Sequence, residues 1–218
     1  MWIKKIRKAK FWMMVFLADF VLKLRGIKII EAKTEEEKRM VYRLRYDVYT
    51  KYGYINPKDF PNGELKDEDD AHSISYLALK GNKPIGTIRL ILGDKKESFP
   101  TFRMWNVDFN NFSKDFSKIG ELSKLCIINS KNKKFWIWLG IMKKVYQRSR
   151  ELNLNFWMFT THKKVIELIK TRFCTPARIL YFFPPTFSNL KEREVVKGFF
   201  QQKEVLPCWI NFNEIGEF

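Results

Sequence analysis

Two strand-like runs, Ser75 to Lys80 and Pro84 to Leu92, are separated by three residues, of which Gly81 and Asn82 supply the turn chemistry of a β-hairpin. A hairpin of this length needs a sheet to join, and the flanking sequence supplies one. Ile27 to Glu31 reads as a short strand, and Thr34 followed by Glu37 forms a capping box that opens a helix from Glu35 to about Tyr52. Met40, Val41, Leu44 and Val48 recur at helical spacing on its buried side. Pro57, Pro61, Asn62 and Gly63 mark a loop ending in the acidic cluster Asp67, Glu68, Asp69, Asp70, of a kind that ordinarily faces solvent.

After the hairpin comes an aromatic connection containing Phe99, Phe102, Trp105 and Phe109. A strand from Ile119 to Ile128, a polar loop from Asn129 to Lys134 and a helix from about Trp136 to Leu152 follow. Leu154 to Thr160 is a strand, Lys163 to Phe173 a helix, and Ile179 to Phe183 and Val205 to Phe212 are two closing strands. Hairpins mixed with strand-helix-strand crossovers imply an α/β fold: a mixed, mostly antiparallel central sheet with helices on both faces.

Residues 1–26 stand apart from this domain of residues 27–218. Lys4, Lys5, Arg7, Lys8 and Lys10 precede an apolar stretch from Phe11 to Ala18, which Asp19 interrupts. The run is too short to span a bilayer, and Lys23, Leu24, Arg25 and Gly26 follow where a secretory cleavage site would need small residues. As a helix it places Lys4, Lys5, Lys8, Asp19 and Lys23 opposite Ile3, Ile6, Phe16, Phe20 and Leu24. Two dispositions are open: residues 1–25 lie on an anionic membrane surface, with Trp2 and Trp12 at the headgroups, or the apolar face packs on the domain or on a second copy.

The net charge of +17 suits acidic partners, although solvated lysines account for much of such a balance. No helix-turn-helix, RNP or zinc pattern points to nucleic acid. Cys126, Cys174 and Cys208 are odd in number and widely spaced, so no disulfide framework or metal site is expected. A reducing, cytoplasmic location fits best, with residues 1–25 offering attachment to the inner membrane face.

Four motifs occur in order: Arg45 in Arg-Tyr-Asp-Val-Tyr; Asp67-x-x-Asp70 with Tyr76 beyond; Gly86-Thr87-Ile88-Arg89-Leu90; and Glu121-Leu122-Ser123-Lys124-Leu125. Together they resemble, over about residues 38–135, the acyl-homoserine-lactone synthases and the N-acyl amino acid synthases, both of the N-acetyltransferase-like (GNAT) superfamily. Lys124 stands where that pattern usually carries Arg, replacing a planar bidentate donor with a point charge. The loop before the second long helix lacks the glycines by which acetyl-CoA enzymes of the superfamily hold pyrophosphate.

The resemblance implies an enzyme moving a fatty acyl chain from an acyl carrier protein or CoA thioester to the amine of an amino acid, with no tightly bound cofactor. An acidic carrier would also favour the basic surface. With only His72 and His162 in the chain, a carboxylate base is the better candidate, and the resemblance places Glu121 there. It implies that two strands splay beside the thioester, so backbone N–H groups of Leu125, Cys126, Ile127 and Ile128 would serve the oxyanion and the pantetheine arm, with Lys133, Lys134 and Phe135 nearby. Arg45, Asp67, Asp70, Arg89 and Lys124 would hold the acceptor or order the loop covering it; alternatively they form an ion-pair network locking helix to hairpin. Trp136, Phe156 and Met158 are candidates for an acyl pocket, against the plain alternative of core packing. Two further readings stand: an acyl-homoserine-lactone synthase taking S-adenosylmethionine, and a non-catalytic membrane-binding protein on a vestigial fold. A cleft with Glu121 facing it would favour the enzyme.

Overall fold

The computed structural model describes residues 2–107, 115–128, 134–172, 177–180, 182–183 and 204–215. Its centre is a seven-stranded sheet. The strands are β1 (Ile27–Glu31), β2 (Ser73–Lys80), β3 (Lys83–Leu92), β5 (Ile119–Ile127), β6 (Phe156–His162), β7 (Arg178–Ile179) and β9 (Val205–Asn211), in the order β1-β2-β3-β5-β6-β9-β7. Only the β5–β6 contact is parallel; the other pairings described are antiparallel. The expected mixed sheet with helices on both faces is therefore present.

Helix α2 (Glu35–Lys51) begins as its capping box requires: Thr34 accepts from the Glu37 N–H, and the Glu37 carboxylate accepts from the Thr34 N–H. It lies on one face, where Val41, Leu44 and Leu77 pack together. Helix α4 (Lys134–Glu151) covers the other with Ile137, Ile141, Val145 and Tyr146 against Ala78, Ile88, Leu90, Leu122 and Trp157. Gly86 faces this helix: a Cβ there would stand 3.0 Å from Ile137 Cγ2 and 3.3 Å from Ile141 Cδ1, so the first residue of the Gly-Thr-Ile-Arg-Leu motif admits α4 to the sheet.

Helix α1 (Trp2–Leu24) packs on α4. It does so through Val15, Ala18 and Leu22, which adjoin the polar sector expected from the sequence, and Asp19 pairs with Lys143 at 2.7 Å. These small and branched side chains permit close approach, and Leu22 reaches the space above Gly140. Phe16, Phe20 and Leu24, expected to share the packing face if the helix were absorbed by the domain, are exposed instead.

Other departures are local. The aromatic connection holds a short helix, α3 (Pro100–Met104), with Pro100 at its start where a missing N–H costs nothing. Ile179 to Phe183 is not one closing strand. Arg178–Ile179 joins β9, whereas β8 (Phe182–Phe183) pairs with β4 (Asn106–Val107) in a separate two-stranded sheet. Helix α5 (Lys163–Arg172) follows β6 directly and contributes Ile166 to the α4-side core.

Candidate active site

Strands β5 and β6 pair over only three positions, Ile119 with Phe156, Gly120 with Trp157 and Glu121 with Met158. Both continue, β5 to Ile127 and β6 to His162, without pairing with each other. The sheet therefore opens between two parallel strands immediately after Glu121. On its other edge β5 carries a bulge: Thr87 faces Cys126 and Arg89 faces Ser123, so Lys124 and Leu125 together stand opposite Ile88. Lys124 takes φ +51°, a left-handed backbone that costs a non-glycine residue roughly 1 kcal/mol. Such strain persists where its surroundings fix it, and here the side chain is tied at its far end.

That tie belongs to a buried polar network. Arg45 on α2 donates to Asp70 at 2.7 Å and to Ser75 at 2.9 Å. Arg89 on β3 donates to Asp67 and, through Nε, to Ser123 at 2.9 Å, and lies 3.2 Å from Asp70. Lys124 Nζ meets Asp67 at 3.0 Å and lies 5.5 Å from the centre of the Tyr49 ring. Asp69, within the same acidic run, receives two bonds from Arg103 of α3. The cluster expected to face solvent is thus largely buried, because three arginines and a lysine from α2, β3, α3 and β5 converge on it. Burial would raise the Asp67 carboxyl, but Lys124 and Arg89 hold it well below the usual range; burial lowers the Lys124 ammonium despite Asp67.

The four motifs of the sequence are hence brought together, and their geometry is that of a lock between α2, the acidic loop and the sheet. Arg45, Asp70 and Arg89 have side chains no more than 2% exposed, leaving no surface for an acceptor. Asp67, at 29%, forms the accessible edge.

Glu121 does not face an open cleft. Its side chain is buried and accepts three bonds from Thr101 of α3, two from the N–H at 3.0 and 3.2 Å and one from Oγ1 at 2.8 Å. Desolvation raises its pKa to about 7 against the opposing Thr101 hydrogen bonds. Thr101 Oγ1 lies 3.0 Å from Thr160 Oγ1, on the part of β6 beyond its pairing with β5. A chain of hydroxyls therefore connects the buried carboxylate to the opening. Neither threonine was legible as functional; the only signal was Pro100-Thr101 as a helix start, which places an N–H donor where a carboxylate is stabilised.

The proposed acyl-donor residues divide. The Ile128 N–H already donates to Ile85 O at 2.9 Å, so it is not an oxyanion donor. Ladder alternation then turns the Ile127 N–H away from β3, toward the opening. Leu125 is exposed. Cys126 is buried, its thiol pushed up to about 12 by desolvation, which excludes a thiolate nucleophile at neutral pH. Lys134 is exposed at the first turn of α4, and Lys133 lies outside the described residues. Phe135 packs with Trp136 and Trp138 near α1, away from any thioester path along β5.

The acyl-pocket candidates do not share a pocket. Trp136 lies on the α4 face, whereas Phe156 and Met158 lie on the Glu121 face beside Ile91, Ile119 and Phe99. Alternation along β6 separates Phe156 and Met158 from Trp157 and Phe159, as the sequence pattern requires. A shallow depression of about 400 Å³ between β1 and α4, lined by Glu31, Lys33, Tyr76, Lys144, Arg148 and Glu151, includes no residue of the opening or the network.

Comparison with known proteins gives this arrangement its relatives. The fold resembles FeeM, an N-acyl amino acid synthase from uncultured soil microbes, at TM-score 0.60 and 12% identity, covering 87% of this chain and 92% of that one. It resembles the CoA-dependent acyl-homoserine lactone synthase BjaI at TM-score 0.60 and 15% identity, over 85% and 82% of the two chains. A GNAT-family acetyltransferase from Staphylococcus aureus superposes at TM-score 0.50 and 16% identity, over 85% and 98%. No curated protein sequence matches. Residues 40–175, which hold all four motifs and the opening, match the family described as N-acyl amino acid synthase FeeM. The chain therefore belongs to the FeeM N-acyl amino acid synthase family and is an acyltransferase with a GNAT-like fold.

Proposed function

We propose that this acyltransferase joins a fatty acyl group, delivered as an acyl carrier protein thioester, to the amine of an amino acid in the opening between β5 and β6. The observation that carries the reading is the parting of these strands directly after Glu121, with the Thr101 and Thr160 hydroxyls leading from its carboxylate into the gap.

The amine attacks the thioester carbonyl once it has lost its proton. Thr160 Oγ1 takes that proton as its own passes to Thr101 Oγ1, whose proton passes to Glu121 Oε1. A carboxylate with a pKa of about 7 suits this exchange, since it is substantially ionised at neutral pH yet binds a proton readily. The Ile127 N–H supports the oxyanion of the tetrahedral intermediate. Collapse breaks the carbon–sulfur bond, and the proton returns along the same hydroxyls to the leaving thiolate. The buried network fixes α2 and the acidic loop around this site, with Lys124 and Asp67 at its edge.

Acyl carrier protein is favoured as donor by the glycine-free 129–134 loop and the chain's +17 charge, which complements an acidic carrier. The similar synthase BjaI is itself CoA-dependent, so acyl-CoA is the alternative donor to test. The test is mass spectrometry of amides formed from matched acyl carrier protein and acyl-CoA thioesters with mixed amino acids, and with S-adenosylmethionine in parallel. An N-acyl amino acid is expected, formed faster from the carrier protein. A lactone formed only with S-adenosylmethionine, or no product from any pairing, would overturn the reading.

A further inference from the structure

We infer that α1 docks the protein on an anionic lipid bilayer, lying in the headgroup plane with Met13, Phe16, Leu17, Phe20 and Leu24 inserted. These five positions form one stripe at helical spacing. All are exposed, Phe16 at 80%, Leu24 at 72% and Phe20 at 61%. The stripe is not the domain's own packing surface: Val15, Ala18 and Leu22, on the other side of the helix, already perform that role against α4. Contiguous large apolar side chains left outside a completed core mark an interaction surface.

Charge selects the occupant. The helix sequence carries Lys4, Lys5, Arg7, Lys8, Lys10 and Lys23 against Asp19 alone, and Asp19 is paired with Lys143. An apolar stripe on a helix whose sequence is rich in lysine matches anionic headgroups above acyl chains. A parallel pairing with a second copy would bring the two basic segments together, whereas an antiparallel pairing would leave both segments without an acidic partner. Spanning is not available, since among the described residues no helix is long and apolar enough to cross a membrane.

Docking of this kind does not rest on the acyl-transfer reading. It is tested by flotation of the full chain with vesicles of phosphatidylcholine alone and of phosphatidylcholine with phosphatidylglycerol. A Phe16→Ser/Phe20→Ser variant and a Lys4→Glu/Lys5→Glu/Lys8→Glu variant are run beside it. Circular dichroism and melting temperature establish that each variant remains folded. The wild type is expected to float with the anionic vesicles, with partitioning reduced about tenfold or more in the serine variant. The glutamate variant and high salt should weaken it similarly. The proposal is overturned if the wild type stays in solution with both vesicle types, or if the serine variant floats equally well. It is also overturned if light scattering finds a wild-type dimer that the serine substitutions dissolve, since the stripe would then be covered by a second copy.

Discussion

Ile88, Arg89 and Leu90 are consecutive on β3, yet they belong to two different kinds of interior. Ile88 and Leu90 point into the α4-side core with Ala78, Leu122, Ile141 and Trp157. Arg89 points the other way, into carboxylates gathered from a single loop. The α4 side is held by area removed from water, which is non-directional and tolerates modest changes of shape. The α2 side has apolar clusters of its own, around Val41, Leu44 and Leu77 and around Ile91, Phe99 and Met158, but adds charged partners that must all be present, because a buried charge left alone is far more costly than a small cavity. The groups proposed to react lie on this second side, where Glu121 shares the sheet face of Arg89 and Met158. Both faces supply cohesion, and the second also supplies fixed positions.

The comparison is broken most severely by Arg89→Ala. Asp67 and Asp70 would lose their shared cation, and a loss of about 3–5 kcal/mol is expected, read as a fall in chemical-denaturation midpoint. Arg89→Lys retains charge but loses the bond to Ser123, so its loss of stability should be smaller. If both variants cost no more than a surface substitution, the polar face is not the lock described.

Next in size is the effect of Glu121→Gln on stability against pH. The folded pKa of about 7 lies above the ordinary 4.5, so the folded chain retains a proton that the unfolded chain releases. This contribution is full below pH 4.5 and is lost as pH rises through 7, amounting to about 3 kcal/mol across that interval. Denaturation measured across the same range should show the decline in wild type and its absence in Glu121→Gln.

Thr160→Val removes one hydroxyl while preserving shape. About a 100-fold fall in kcat is expected with little change in melting temperature, since general acid–base contributions are of this order. Unchanged kcat would exclude the hydroxyl chain. The smallest effect belongs to the apolar face: Ile141→Val should cost about 1 kcal/mol in thermal unfolding and leave activity intact. A loss of activity there would mean that the two faces are coupled.

What could be read in advance follows the same division. The capping box at Thr34, the hairpin turn at Gly81-Asn82 and the alternation along β6 are local patterns, and each appears within a residue or two of its expected place. Arg45, Asp67, Asp70 and Arg89 were recognisable as a set through their resemblance to a family, but not their burial, which depends on Arg103 and Lys124 arriving from other elements. Thr101, Glu121 and Thr160 come from α3, β5 and β6, and no periodicity links residues so far apart. The outward stripe of α1 was likewise ambiguous, because a helical pattern gives the apolar sector but not which sector Gly140 and Leu139 of α4 will accept.

The most direct test is the pH dependence of kcat/KM for amide formation by wild type and by Glu121→Gln, each shown to be folded. The account predicts a wild-type rate that rises with pH through an apparent pKa near 7 and a variant that is about 100-fold slower and lacks this inflection. An inflection near 7 retained by Glu121→Gln at undiminished rate would contradict it.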